Sequence, residues 1–526
     1  MSEKVYRTEL TPVSFLRRSA YMFPAKTAVV HGDRRYTYQE FEERVNRLAS
    51  RLKDVGFQKG DRIAFLCPNI PPMLEGTFAI PAAGLVMVAI NQRLSAGEVE
   101  YIVGHSKAKM VFADAEFAEL LEGVDESVEI VRIDDTGEEG DPYEDYLAEG
   151  SPEPVESVLE DEEEMISVNY TSGTTGQPKG VMYNHRNAYL SALGNVIETG
   201  MDYETRYLWT LPMFHCNGWT FPWAVTAVAG THVCLRQVEP GRIWELFESE
   251  NITHYCAAPT VQIPLVNDEN AHELERQITA CIAGYVPSPT LLEQLMELNI
   301  RPLHLYGLTE TYGPATINIL REEERQEKDT GDQAILLSRQ GQGYVTSDLV
   351  RVVDDDMNDV PRDGETMGEI IFRGNMVMMG YLDDEEETKE AFEGGWYHSE
   401  DLGVWHPDGY IEVQDRDKDI IISGGENIST IEIEQAIEEH PAVMDVAVTS
   451  MPDEYYGERP KAFVTLARGG EATEEEIIDF VKERIARFKA PAAVEFGELP
   501  KTATGKVQKY VLRDREWENG QDGQES

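Results

Sequence analysis

Cysteine pairs, metal-ligand spacings, long apolar runs and positive charge are all in short supply in this 526-residue chain. Its five cysteines, Cys67, Cys216, Cys234, Cys256 and Cys281, are scattered with no CxxC pair. Neither a disulfide framework nor a thiolate metal site is expected, and they read as reduced core residues of a cytoplasmic protein. The eleven histidines show no HExxH or comparable spacing, which argues against a dedicated zinc site. The longest apolar candidate, GTFAIPAAGLVMVAI (Gly76 to Ile90), is too short for a membrane span, is interrupted by Pro81, and reads as buried core. The opening MSEKVYRTEL has no hydrophobic signal core, so export is not expected.

The charge deficit is the largest departure from ordinary composition. Ninety-seven acidic residues against 46 basic ones give −51, about −0.1 per residue. Such a surface repels nucleic acid and anionic membranes, which makes both poor candidate partners. It also repels itself unless salt screens it, and the screening length falls to about 3 Å at molar salt. A protein of a high-salt cytoplasm is the reading that follows. With 41% apolar and 9% aromatic residues the chain is globular, and its length allows two or more domains.

Against this acidity stands TSGTTGQPKG, Thr171 to Gly180, with its hydroxyls, glycines and the cation Lys179. Short donors, unhindered backbone N–H groups and one ammonium suit a polyphosphate. It is not the GxxxxGK[ST] pattern, because Gly180 follows Lys179 where Ser or Thr is needed. ISVNY before the loop reads as a strand and HRNAYLSALGNV after it as a helix, so strand, loop, helix is the expected setting.

Further along, RIAFLCPN, KMVFADAE, THVCLRQV and ITHYCAAP read as buried strands. FEERVNRLASRLKDV and GRIWELFESEN have helical period, so α/β layers with parallel strands are expected. After Val404 the texture changes. STIEIEQAIEEH reads as helix, and AVMDVAVTSM, KAFVTLAR, EEEIIDFVKERIARF and PAAVEFGELP as β, β, α, β. That outlines a compact α+β unit of about one hundred residues. The boundary falls near Asp415, dividing residues 1–415 from 416–526.

YTSGTTGQPKGV, LYGLTE (Leu305 to Glu310), DRDKD (Asp415 to Asp419), SGGEN (Ser423 to Asn427) and PKTATGK (Pro500 to Lys506) together resemble the adenylate-forming acyl-CoA synthetases in order and spacing. MFHCNGWTFPW, CLRQVEP, CAAPT and VPRDGETMGEI are more similar to the branch acting on short, medium-chain and aromatic carboxylates. The resemblance implies an α/β fold, with a large multi-subdomain N-terminal adenylation domain and a small mobile α+β C-terminal domain. It implies a carboxylate–CoA ligase that makes acyl-AMP from ATP and then a thioester, using magnesium, with coenzyme A as co-substrate. A homodimer stays open. A free-standing enzyme loading a carrier protein and a non-catalytic adenylate sensor are the alternatives.

Residue by residue, the resemblance assigns Thr171, Ser172, Gly173, Thr174, Thr175 and Lys179 to the phosphates, and Thr171 with Glu310 to magnesium. Gly284 and Tyr285 would line the adenine, Tyr306 would stack on it, and Gly307, Thr309 and Arg416 would complete the nucleotide site. Asp401 would bind the ribose, although Ser399 and Glu400 stand where the family has Thr and Gly. Lys506 would be the adenylation catalyst, Lys418 the hinge, and Gly424 and Gly425 the pantetheine tunnel. His215, Trp219 and Gly307 would shape the acyl pocket, with Gly307 standing where acetate-specific relatives carry a tryptophan. Ile422 stands where many long-chain relatives carry a lysine.

The charge carries a prediction of its own. Melting temperature and activity should rise from low salt to molar KCl. A melting curve that stays flat across that range would defeat the high-salt reading.

Overall fold

Short β-branched runs and amphipathic helices alternate along the first two-thirds of the chain, and in the computed structural model they stack as layers. The structure describes residues 7–171, 178–423, 426–453, 455–501 and 507–522. One sheet runs Gly380–Tyr381, Gly180–Asn184, Met165–Tyr170, Val86–Ala89, Arg62–Leu66, Ala108–Asp114 and Glu129–Ile133. Its last five strands are parallel, while Gly180–Asn184 and Gly380–Tyr381 join antiparallel at the edge. Helix Pro71–Ala82 and the strand Val86–Ala89 account for the long apolar run, and it is buried as core.

A second sheet has six parallel strands at its centre. They are, in spatial order, Ile300–Tyr306, Ile278–Ile282, His254–Ala257, Arg206–Leu208, Thr231–Val233 and Thr27–His31. Parallel strands covered on both faces need apolar residues at successive positions rather than alternation, and Ile278–Ile282 is buried at every position. The helices between them carry their own stop and start signals. Tyr38–Val55 begins at a Thr37–Glu40 capping box and ends at left-handed Gly56. All five cysteines are buried thiols.

Two smaller sheets follow. Arg351–Val353, Met367–Phe372, Tyr397–Trp405 and Ile411–Arg416 form an antiparallel four-stranded sheet. Beyond it, Ile421–Ser423, Glu426–Ile428, Val443–Asp453, Gly457–Leu466 and Ala493–Phe496 form a five-stranded sheet. Its core is its own: Ile421, Ile433, Val448, Val464 and Ile477 are buried together beneath helices Thr430–Glu438 and Glu474–Lys482. The β, β, α, β order expected from Ala442 onward is the order found. Among the described residues no helix is long and apolar enough to cross a membrane.

Candidate active site

A cleft of about 980 Å3 opens where the two large sheets, the four-stranded sheet and the C-terminal unit meet. Thr171 and Lys179 stand at its edge, at the mouth of the hairpin formed by Met165–Tyr170 and Gly180–Asn184. The Thr171 N–H donates to the Lys179 carbonyl at 3.1 Å, and the Lys179 N–H to the Thr171 hydroxyl at 3.4 Å. The expected strand, loop, helix order is corrected here. GVMYN pairs back on the preceding strand before the helix His185–Thr199 begins, because Val181 and Tyr183 alternate into the core. The helix begins only after this strand, with Asn184 as its N-cap. Ser172, Gly173, Thr174 and Thr175 lie outside the described residues.

Lys179 does not stand alone. Its ammonium pairs with the Glu387 carboxylate and lies 5.1 Å from the Tyr381 ring centroid. The Tyr381 hydroxyl donates in turn to Glu310 at 3.0 Å. Burial pushes the Glu310 carboxyl above its ordinary range, while the Tyr381 hydrogen bond, Arg416 and Lys179 pull it back. No local signal marks Tyr381 or Glu387, since 71 residues separate the first from Glu310 and 208 separate the second from Lys179.

On the opposite side, Tyr306 ends the strand Ile300–Tyr306 and donates its hydroxyl to Asp401 at 2.6 Å. Asp401 is 4% exposed and also faces the Arg416 Nε at 3.2 Å, so one carboxylate joins three elements. The Asp401 N–H donates to the Ser399 hydroxyl at 3.1 Å, which in turn donates to the Ile370 carbonyl at 2.5 Å. Between them Glu400 adopts φ of +58°, a left-handed conformation that glycine would take without steric cost. The Glu369 carboxylate holds its N–H at 3.0 Å. The Glu400 substitution therefore leaves the Asp401 geometry whole and stores modest strain beside it.

Gly284, Tyr285, Gly307, Thr309 and His215 also line the cleft. Burial lowers the His215 imidazole to about 4, so it is neutral near pH 7. Trp219, expected on the same wall, is not among the residues lining the cleft. It is 6% exposed, with its ring centroid 6.4 Å from that of His215 and its Cβ side against Gly313. Gly307 also differs from expectation. A Cβ there would lie 2.0 Å from the Gly313 carbonyl oxygen, so this glycine allows two backbone segments to touch and does not leave a wall open.

Lys418 sits in the short turn Asp417–Asp419 that joins the four-stranded sheet to the C-terminal unit. Arg513, from the last helix, donates to the Lys418 carbonyl and the Asp419 carboxylate, both at 2.9 Å. Burial and the neighbouring Arg416 lower the Lys418 ammonium. Asp415 accepts from the Thr430 N–H at 2.7 Å and from its hydroxyl at 2.6 Å, which fastens the C-terminal unit to the sheet. Gly424, Gly425 and Lys506 lie outside the described residues.

Comparison with known proteins agrees with this assembly. The sequence model of the AMP-binding enzymes matches residues 16–382, and that of the AMP-binding enzyme C-terminal domain matches residues 432–506. A peroxisomal acetate/butyrate–CoA ligase of Arabidopsis thaliana is 42% identical over 545 residues, covering 98% of this chain and 95% of that protein. A 4-hydroxybutyrate–CoA ligase of Metallosphaera sedula is 44% identical over 522 residues, covering 96% and 94%. Among solved structures, the o-succinylbenzoate CoA synthetase of Bacillus subtilis with its acyl-adenylate superposes with a TM-score of 0.82. It shares 26% identity and is covered to 99%, against 97% of this chain.

The Gly307 contact makes a direct prediction. Gly307→Ala should lower the melting temperature by several degrees, because the new methyl must displace the Gly313 carbonyl from its hydrogen bond with the Thr311 hydroxyl. Gly307→Trp should lose activity toward every acid alike. Retained stability with a simple narrowing of acid preference would show that the pocket is open at this position after all.

Proposed function

The chain belongs to the AMP-binding enzyme family and is an ATP-dependent carboxylate–CoA ligase, and from that premise we propose that its acid is a short- to medium-chain fatty acid. The observation that carries the proposal is one cleft that joins a phosphate-side cation and carboxylate, Lys179 and Glu310, to a Tyr306–Asp401–Arg416 cluster. The apolar wall of Phe214, Cys216 and Leu308 borders the same space. Relatives named for acetate, butyrate and 4-hydroxybutyrate support a small aliphatic acid.

In the reaction the carboxylate attacks the α-phosphorus of ATP, forming acyl-AMP and releasing pyrophosphate. The thiol of coenzyme A then attacks the acyl carbon and expels AMP. Tyr306 would present its ring to the adenine, and Asp401 would accept from the ribose hydroxyls. Lys179 and the hydroxyls of Thr171, Ser172, Thr174 and Thr175 would neutralise and bind the phosphates. Glu310 and Thr171 suit magnesium, which favours a few hard oxygen ligands together with substrate phosphates. Among the described residues no cluster of three acidic, histidine or cysteine side chains forms a self-sufficient metal cage. The ion would supply positive charge to the departing pyrophosphate.

Residues 1–415 would hold nucleotide and acid, and residues 416–526 would bring Lys506 to the carboxylate and phosphate for the first step. For the second step the C-terminal unit would turn about Lys418, presenting Gly424 and Gly425 to pantetheine. The net charge of −51 supports a high-salt cytoplasm as the place of work.

Separate half-reactions test this division. Lys506→Ala should abolish acyl-AMP formation while synthetic acyl-AMP and CoA still yield thioester. Lys418→Pro should leave adenylation standing and depress thioester formation, because a fixed φ stiffens the turn. Equal loss of both steps in the Lys506 variant, or an unchanged overall rate in the Lys418 variant, would refute the assigned roles.

Acid preference is tested by a panel. Each methylene buried in the pocket should contribute about 0.8 kcal/mol, roughly fourfold in kcat/KM, from acetate through butyrate, and the series should then flatten where the wall begins. A series that does not rise from acetate to butyrate would contradict the methylene-burying pocket, and a preference for long-chain or aromatic acids would contradict the proposal.

A further inference from the structure

Behind the His215–Cys216 wall the backbone does something rare. Cys216, Asn217, Gly218, Trp219 and Thr220 have φ of +45°, +43°, +56°, +51° and +62°, a complete left-handed turn of which four residues are not glycine. L-residues avoid this conformation because Cβ crowds the following carbonyl. The turn is also buried, and both amide atoms of Asn217 lack a hydrogen-bond partner. A strained backbone and an unpaired buried amide persist only where their surroundings hold them in place.

What holds them is visible. The Asn195 carboxamide, on the helix His185–Thr199, donates to the Trp219 carbonyl at 2.7 Å and to the Thr220 hydroxyl at 2.9 Å. Its own oxygen accepts from the Tyr344 hydroxyl at 2.8 Å, which fixes the direction of the amide. Asn195 and Tyr344 are 1% and 2% exposed, and neither lines the cleft. The turn they hold reaches the site at both ends. The Cys216 thiol lies 3.6 Å from the Thr309 hydroxyl, and Trp219 backs Gly313, whose carbonyl touches Gly307.

We propose that Asn195 and Tyr344 are positioning residues for acid selection. By clamping Cys216–Thr220 in its left-handed form they keep Trp219 against Gly313 and so set the depth of the acyl wall. The proposal rests on the reading of this cleft as a carboxylate–CoA ligase site. Release of the clamp lets the turn relax toward ordinary backbone conformations and Trp219 withdraw, which deepens the pocket on the side facing Gly307 and favours longer acids.

The test uses the full-length enzyme with ATP, CoA and either butyrate or octanoate, measuring thioester formation. Tyr344→Phe removes one oxygen from the clamp, and Asn195→Asp removes both of its donors with little change of shape. The readout is the ratio of kcat/KM for octanoate to that for butyrate, in which any loss of folded enzyme cancels. In both variants that ratio should rise at least fivefold, with KM for ATP within twofold of the parent. If Asn195→Asp does not fold, Tyr344→Phe decides alone. A ratio within twofold of the parent, a fall in the ratio, or a change in KM for ATP as large as the change in ratio would overturn the clamp. Absence of thioester from every acid with the parent enzyme would instead overturn the ligase reading, and the clamp's role with it.

Discussion

One buried carboxylate holds the site in register. Asp401 receives the Tyr306 hydroxyl from the end of a parallel strand and faces Arg416 from the neighbouring antiparallel strand. It thereby ties the large domain to the segment leading into the C-terminal unit. With its side chain only 5% exposed, removing Arg416 would leave a buried charge without its counter-ion, a cost of several kcal/mol. The surroundings reflect that constraint. Ser399 anchors the Asp401 N–H, Glu369 holds the N–H of the left-handed Glu400, and Asp415, one residue before Arg416, binds Thr430 at the start of the next helix. Asp401 and the strand end that leads into the C-terminal unit are thus directly linked, so the proposed rotation about Lys418 would pivot next to the acid proposed to face the ribose.

The acidic composition has a consequence inside the cleft as well as on the surface. Three of the cations lining the cleft already face carboxylates: Lys179 meets Glu387, Arg416 meets Asp401, and Lys509 meets Glu434 at 2.8 Å. Lys179 and Glu387 are both at least a third exposed, so their pairing contributes at most about 1 kcal/mol and would exchange readily for the proposed phosphate. The Arg416–Asp401 and Lys509–Glu434 pairs are better shielded and belong to the architecture. Exposure therefore separates the cation that can change partners from those that cannot.

The wall proposed to face the acid is built around Gly307 from backbone contacts more than from side-chain bulk. Gly307 lies against the Gly313 carbonyl, and Trp219 packs behind Gly313. A wall of this kind resists substitution at its face and responds to whatever fixes the second layer. The left-handed turn at Cys216–Thr220, with the unpaired Asn217 amide at its centre, is that layer.

The sequence alone determined the elements and the chemical inventory. Strand segments such as RIAFLCPN and ITHYCAAP, the helical period of FEERVNRLASRLKDV, and a hydroxyl- and glycine-rich loop with Lys179 that suits a phosphate were legible, because these signals are local and set by backbone geometry. The motif order was also sufficient to place Tyr306, Glu310, Asp401 and Arg416 in one site. Tertiary structure alone decided the rest. It placed the strand GVMYN between the loop and the expected helix, moved Trp219 off the cleft surface, and turned Gly307 from an open wall into a close contact. It also brought in Tyr381, Glu387, Asn195 and Tyr344, which no nearby residue announces. The physical reason is common to all of them. Burial, backbone approach and pairing across tens to hundreds of residues depend on which surfaces meet, and that is settled only when the layers close on one another.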